Sequence, residues 1–200
     1  MFDSTVRKTL SGILEPLGNQ LNKKGISANS ITLVGWVFGL CSCLAVLDKL
    51  WILALVLWLI NRAIDGVDGP VARASQPTKL GGFLDLFADF SIYGGFITAL
   101  AVAEPKARLA LIVLFLTYYL SAVAFLAFTS LTSDMKVGHD DGRSIRFLGG
   151  VAEGTETVLT YVLFCLFPNL SDQIAWIFSG MVFITAIQRV LFAIKATVKL

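Results

Sequence analysis

The sequence predicts an all-α fold: a six-transmembrane-helix bundle with an N-terminal interfacial amphipathic helix. Three observations predict it. Hydrophobic residues make up 56% of the chain and charged residues only 15%, against roughly half and a quarter in ordinary soluble domains. The apolar residues gather into runs long enough to cross a bilayer, and the basic residues are distributed very unevenly around those runs. Lipid is therefore the expected solvent.

The first element is residues 1–24. Val6, Leu10, Ile13, Leu14 and Leu17 recur at helical spacing, with Arg7, Lys8 and Glu15 on other faces, the pattern of a helix that lies along headgroups without crossing. Asp3, Glu15, Lys23 and Lys24 interrupt this stretch, and it lacks the long apolar core of a cleavable signal peptide.

Residues 25–200 read as one membrane domain, because no long polar linker divides them. A bilayer core needs about 20 mostly apolar residues per helix, which places spans near residues 31–47, 50–64, 83–102, 107–131, 147–167 and 174–196. Asn61, Arg62, Asp65 and Asp68 carry the second helix past the hydrocarbon to the water interface. An even number of spans puts both termini on one side. That side collects thirteen of the sixteen Lys and Arg residues, leaving Lys49, Lys106 and Arg108 opposite, so both termini and the Asp-rich connection are expected in the cytoplasm.

Some chemistry is disfavoured at once. The net charge of +2 is small and the basic residues are scattered, so nucleic acid is not an expected partner. Three cysteines and one histidine would all be needed for a four-ligand zinc site, and their settings read otherwise. Cys41 and Cys43 lie in an apolar run and read as packing residues, and His139 reads as a solvent-exposed loop residue beside Asp140 and Asp141.

The carboxylates are the informative residues. Asp65, Asp68, Asp85, Asp89, Glu153 and Glu156 lie within or at the ends of apolar spans, where acidic side chains are costly and face a bundle interior or a water-filled cavity. Asp65 and Asp68 are three apart and Asp85 and Asp89 four apart, so each pair projects from one face of its own helix. Two helices can then aim four carboxylates at one spot. Their mutual repulsion is relieved by hard divalent cations with oxygen ligands, Mg2+ or Mn2+, which can also clamp a diphosphate and acidify an attacking hydroxyl. Gly69, Ala72 and Gly81 leave room for a ligand between the pairs, and Arg73 offers a planar donor to phosphate or to a neighbouring carboxylate. Buried acids also serve proton- or cation-coupled transporters, but such a pathway does not require the Gly-x2-Ala-Arg spacing.

The pattern Asp65-x2-Asp68-Gly69-x2-Ala72-Arg73-x7-Gly81-x3-Asp85-x3-Asp89 resembles the signature of the CDP-alcohol phosphatidyltransferases, membrane enzymes of phospholipid synthesis. The spacer after Arg73 is one residue shorter than is usual there. The resemblance implies that Asp65, Asp68 and Asp85 bind metal and the donor diphosphate, while Asp89 completes a dinuclear site and acts as general base. It also implies that Gly69, Ala72, Arg73 and Gly81 line a cytidine pocket and that Thr32, in Asn29-Ser30-Ile31-Thr32, stands near the donor phosphates. The implied partners are CDP-diacylglycerol or another CDP-alcohol, a small alcohol acceptor, membrane lipid and a second copy in a homodimer.

The acceptor stays open in the sequence. Lys136, Arg143 and Arg146 suit an acceptor phosphate, and equally suit positive-inside anchoring. Glu153 and Glu156 can accept hydrogen bonds from a polyol or pair with an amine. The segment Gly149-Gly150-x2-Glu153-Gly154 loosely resembles one in choline and ethanolamine phosphotransferases, in which diacylglycerol attacks, so the direction of transfer is open too.

Overall fold

The computed structural model describes residues 3–131 and 150–197, with side chains from residue 9 onward. Among these residues the secondary structure is entirely helical: α1 (Asp3–Lys23), α2 (Ala28–Leu47), α3 (Trp51–Ser75), α4 (Lys79–Ala103), α5 (Arg108–Leu131), α6 (Gly154–Leu166) and α7 (Ser171–Thr197). Short 3-10 turns at Pro105–Ala107 and Pro168–Leu170 lead into α5 and α7.

Local sequence sets the ends. Ser27 starts α2 by accepting the Ser30 amide at 3.2 Å, and Thr78 starts α4 by accepting the Gly81 amide at 3.0 Å, each satisfying a donor that has no partner within the helix. Lys49 (φ 57°) closes the tight turn from α2 to α3. Its ammonium pairs with Glu104 at 3.3 Å, tying that turn to the one between α4 and α5. Both turns thus lie at one end of the bundle, and the second half of α3 and the start of α4 at the other.

α2 packs along α3 and α4, α5 along α7, and α1 against α3. Trp58, Ile92, Phe96, Leu100, Leu111, Leu114, Tyr161 and Phe164 are fully buried between them. The outer faces are apolar as well: Ile52, Leu109, Ile112 and Ile177 are each more than half exposed, an arrangement suited to lipid contact and unlike a soluble surface. The chain has the build of a multi-pass integral membrane protein.

Among the described residues, four stretches are long and apolar enough to cross a membrane: Ala28–Leu47, Lys79–Ala103, Pro105–Leu131 and Pro168–Thr197. The other two expected spans differ in character. α3 is long, but Asn61, Arg62, Asp65 and Asp68 occupy its second half. α6 has 13 residues, against the span expected over 147–167. It starts at Gly154 because Glu153 and Glu156 form a capping box: the Glu153 side chain accepts the Glu156 amide, and Oε2 of Glu156 accepts the Glu153 amide at 3.1 Å, while Oε1 of Glu153 also accepts the Gly150 amide at 2.7 Å. Gly150 itself lies against α7, where a Cβ would stand 2.2 Å from Cγ2 of Thr185.

α1 is helical as expected, and one side of it is in protein contact. A Cβ on Gly18 would stand 2.6 Å from Cβ of Pro70, so this glycine lets α1 meet α3 backbone to backbone. Asn22 donates to the Ala74 carbonyl at 3.0 Å, while Ile13 is 70% exposed.

Candidate active site

The site lies where α2, α3 and α4 converge at the end of the bundle away from Lys49 and Glu104. α3 presents Asp65 and Asp68 one turn apart, and α4 presents Asp85. One carboxylate oxygen from each lies within 4.8 Å of the others. Asp68 is the most enclosed, at 6% exposure, and its Oδ2 accepts the Thr32 hydroxyl at 2.7 Å. That hydroxyl also reaches the Ala28 carbonyl of its own helix at 3.1 Å, so the start of α2 fixes how Asp68 points.

Such a donor set fits a hard cation. Ligands on opposite sides of an octahedral magnesium ion stand about 4 Å apart, so small side-chain rotations close these three carboxylates on one ion. The structure thus brings together three of the four expected ligands. Asp89, one turn after Asp85, is engaged differently: its Oδ1 accepts from Nη1 of Arg62 at 2.9 Å.

Arg62 is the residue to which the sequence assigned no part in the site, placing it only among the polar residues that end the second span and the basic residues of one side. Nη1 reaches Asp89 at 2.9 Å, the Tyr93 hydroxyl at 2.8 Å and Oδ2 of Asp65 at 3.4 Å. Nε donates to Oδ1 of Asn61 at 2.8 Å, and Asn61 donates in turn to the Gly35 carbonyl at 2.8 Å. The side chain is 10% exposed. A signal was present: Arg62 precedes Asp65 by three residues and therefore shares its helix face.

The remaining expected residues are placed as follows. Arg73 pairs with Glu15 of α1 through Nε at 3.0 Å and Nη2 at 2.5 Å. Gly69 lies beside Arg73, and a Cβ on Gly81 would stand 3.1 Å from Oδ1 of Asn29. Ala72 is half-buried between these positions. Glu153 and Glu156 cap α6. Nη1 of Arg189 turns inward to the Ser121 hydroxyl at 2.8 Å. Lys136, His139, Arg143 and Arg146 lie outside the described residues.

The family model for CDP-alcohol phosphatidyltransferase matches residues 26–188, which include the whole aspartate constellation. The chain belongs to the CDP-alcohol phosphatidyltransferase family. Among curated relatives, Inner membrane protein YnjF of Escherichia coli K12 is 36% identical over 196 residues, covering 95% of this chain and 94% of its own length. A bifunctional IPC transferase and DIPP synthase of Archaeoglobus fulgidus is 29% identical over 165 residues; the match covers 81% of this chain and 32% of that larger protein. The fold matches that of the Mycobacterium tuberculosis phosphatidylinositol phosphate synthase PgsA1 in its crystal structure with CDP-DAG bound, with TM-score 0.72, 16% identity, and coverage of 90% of this chain and 93% of that one. A second PgsA1 structure, in complex with manganese and citrate, has the same TM-score and identity. Membership makes the chain an enzyme of the CDP-alcohol phosphatidyltransferase type.

Proposed function

We propose that the chain transfers a phosphatidyl group from CDP-diacylglycerol to a small alcohol, a polyol, polyol phosphate or amino alcohol, and releases CMP. The observation that carries this reading is the convergence of Asp65, Asp68 and Asp85 oxygens within 4.8 Å, across two helices and next to Asp89. Those three residues would hold the divalent cation, Mg2+ or Mn2+, which when bound supplies charge neutralisation for the diphosphate and acidifies the acceptor hydroxyl.

The chain's own residues do the rest. Thr32 holds Asp68 in one orientation from α2. Asp89 accepts the proton of the acceptor hydroxyl, whose oxygen forms a bond to the lipid-bearing phosphorus as the bond from that phosphorus to CMP breaks. Arg62 fixes one oxygen of Asp89 and leaves the other for the acceptor. Gly69, Ala72, Arg73 and Gly81 border the place for cytidine, where small residues admit a flat base close to backbone.

In this reading α3 and α6 join the four long apolar helices in a six-span bundle, with α1 along the headgroups and the site on the cytoplasmic side. Thirteen of sixteen basic residues on one side of such a bundle support that orientation. The test is CMP release from radiolabelled CDP-diacylglycerol by detergent-purified protein, with Mg2+ or Mn2+ and a panel of alcohols. Release that requires both alcohol and cation is the expected result; no release with any alcohol overturns the reading.

A further inference from the structure

The surroundings of Arg62 bear on which alcohol the site accepts. The guanidinium carbon lies 4.9 Å from the Trp58 ring centroid and 5.2 Å from that of Tyr93. Below it the aromatic walls are fixed: Trp58 packs on Tyr161 at 4.8 Å between centroids, and the Tyr161 hydroxyl donates to the Tyr93 carbonyl at 2.9 Å. Trp58 and Tyr161 are fully buried. Above it stands Asp89 at 2.9 Å, with Asp65 at 3.4 Å. Two aromatic rings beside a carboxylate are the chemistry that recognises an alkylammonium ion. In this chain that seat is filled by a cation of its own.

We propose that Arg62 sets the charge class of the acceptor, occupying the place a cationic alcohol would need and restricting the site to neutral or anionic alcohols. The inference rests on the reading of Asp89 as the base that meets the acceptor. With the acceptor hydroxyl on the free oxygen of Asp89, an ammonium two carbons away stands about 5 Å from the guanidinium. Like charges at that distance and an effective dielectric of about 20 weaken binding on the order of 100-fold. A neutral polyol meets no such penalty, and an acceptor phosphate is attracted. Arg62 cannot readily swing aside, because Asn61, Tyr93, Asp65 and Asp89 all hold it.

The test compares acceptors in the wild-type protein and in Arg62→Met and Arg62→Lys, with CDP-diacylglycerol and Mn2+ throughout. For wild type, kcat/KM for choline and ethanolamine is expected to be at least about 100-fold below that for the best of glycerol, glycerol phosphate, inositol and inositol phosphate. Arg62→Met removes the cation from the seat and should raise use of choline relative to the neutral acceptors; Arg62→Lys keeps a cation there and should preserve the exclusion. Equilibrium dialysis of radiolabelled choline against the same preparations should follow that order. Choline or ethanolamine used within 10-fold of the best neutral or anionic acceptor by wild type overturns the proposal, whatever the variants do. So does an Arg62→Met protein that elutes and melts as wild type does yet discriminates unchanged. No CMP release with any alcohol overturns the underlying transfer reading as well, an outcome distinct from a wrong acceptor class.

Discussion

The Thr32 hydroxyl donates to Oδ2 of Asp68 across 2.7 Å, so a residue at the start of α2 orients a metal-binding candidate on α3. Hydrogen bonds to a charged group contribute about 1.5–3 kcal/mol. Thr32→Val removes the donor while keeping the shape, and is expected to lower both the thermal midpoint and the affinity for Mn2+. Thr32→Ser should restore most of each. Differential scanning fluorimetry and a Mn2+ titration check the pair.

Asp89→Asn keeps the size of the side chain and removes its capacity to take a proton. Loss of a general base costs about 10²–10⁴-fold in turnover. Binding of CDP-diacylglycerol should largely survive, because Asp65, Asp68 and Asp85 are intact. Single-turnover CMP release alongside equilibrium binding of the labelled donor separates the two effects; undiminished turnover removes Asp89 from its role.

The ion pair between Glu15 and Arg73 is 42–44% exposed on both sides, and exposed pairs contribute about 0–1 kcal/mol. Glu15→Gln should therefore leave the thermal midpoint nearly unchanged. Gly18→Val is a different matter. Its Cβ would fall 2.6 Å from Pro70, and overpacking of this kind costs about 1–3 kcal/mol. α1 should then lift from α3, which protease sensitivity near residue 18 reports.

Chelation by EDTA should stop CMP release, and added Mg2+ or Mn2+ should restore it. Unchanged release in excess EDTA contradicts the role given to the three aspartates.

The helical fold and its place in lipid were legible because long apolar runs leave few alternatives. The aspartate cluster was legible because spacings of three and four put each pair on one helix face, and the fold had only to bring α3 and α4 together. Arg62 was hidden for a physical reason: a charge at the end of an apolar run looks the same in sequence whether it points to headgroups or turns inward onto Trp58 and Asp89. Glu153 and Glu156 show the converse. Acids at an apolar helix end suggested ligand contacts, and the backbone of α6 also uses them as caps, a second demand on the same side chains that spacing alone does not reveal. The start of α6 was missed with them, since a capping box placed after Gly149-Gly150 shortens the helix from its N-terminal side.

The central claim is that Asp65, Asp68 and Asp85 jointly hold a divalent cation. Electron paramagnetic resonance of Mn2+ titrated into the purified protein tests it without any substrate. The account predicts saturable binding that is lost when the three aspartates are replaced by asparagine in a protein that still elutes as wild type. Binding of equal affinity and stoichiometry in that triple variant would contradict it.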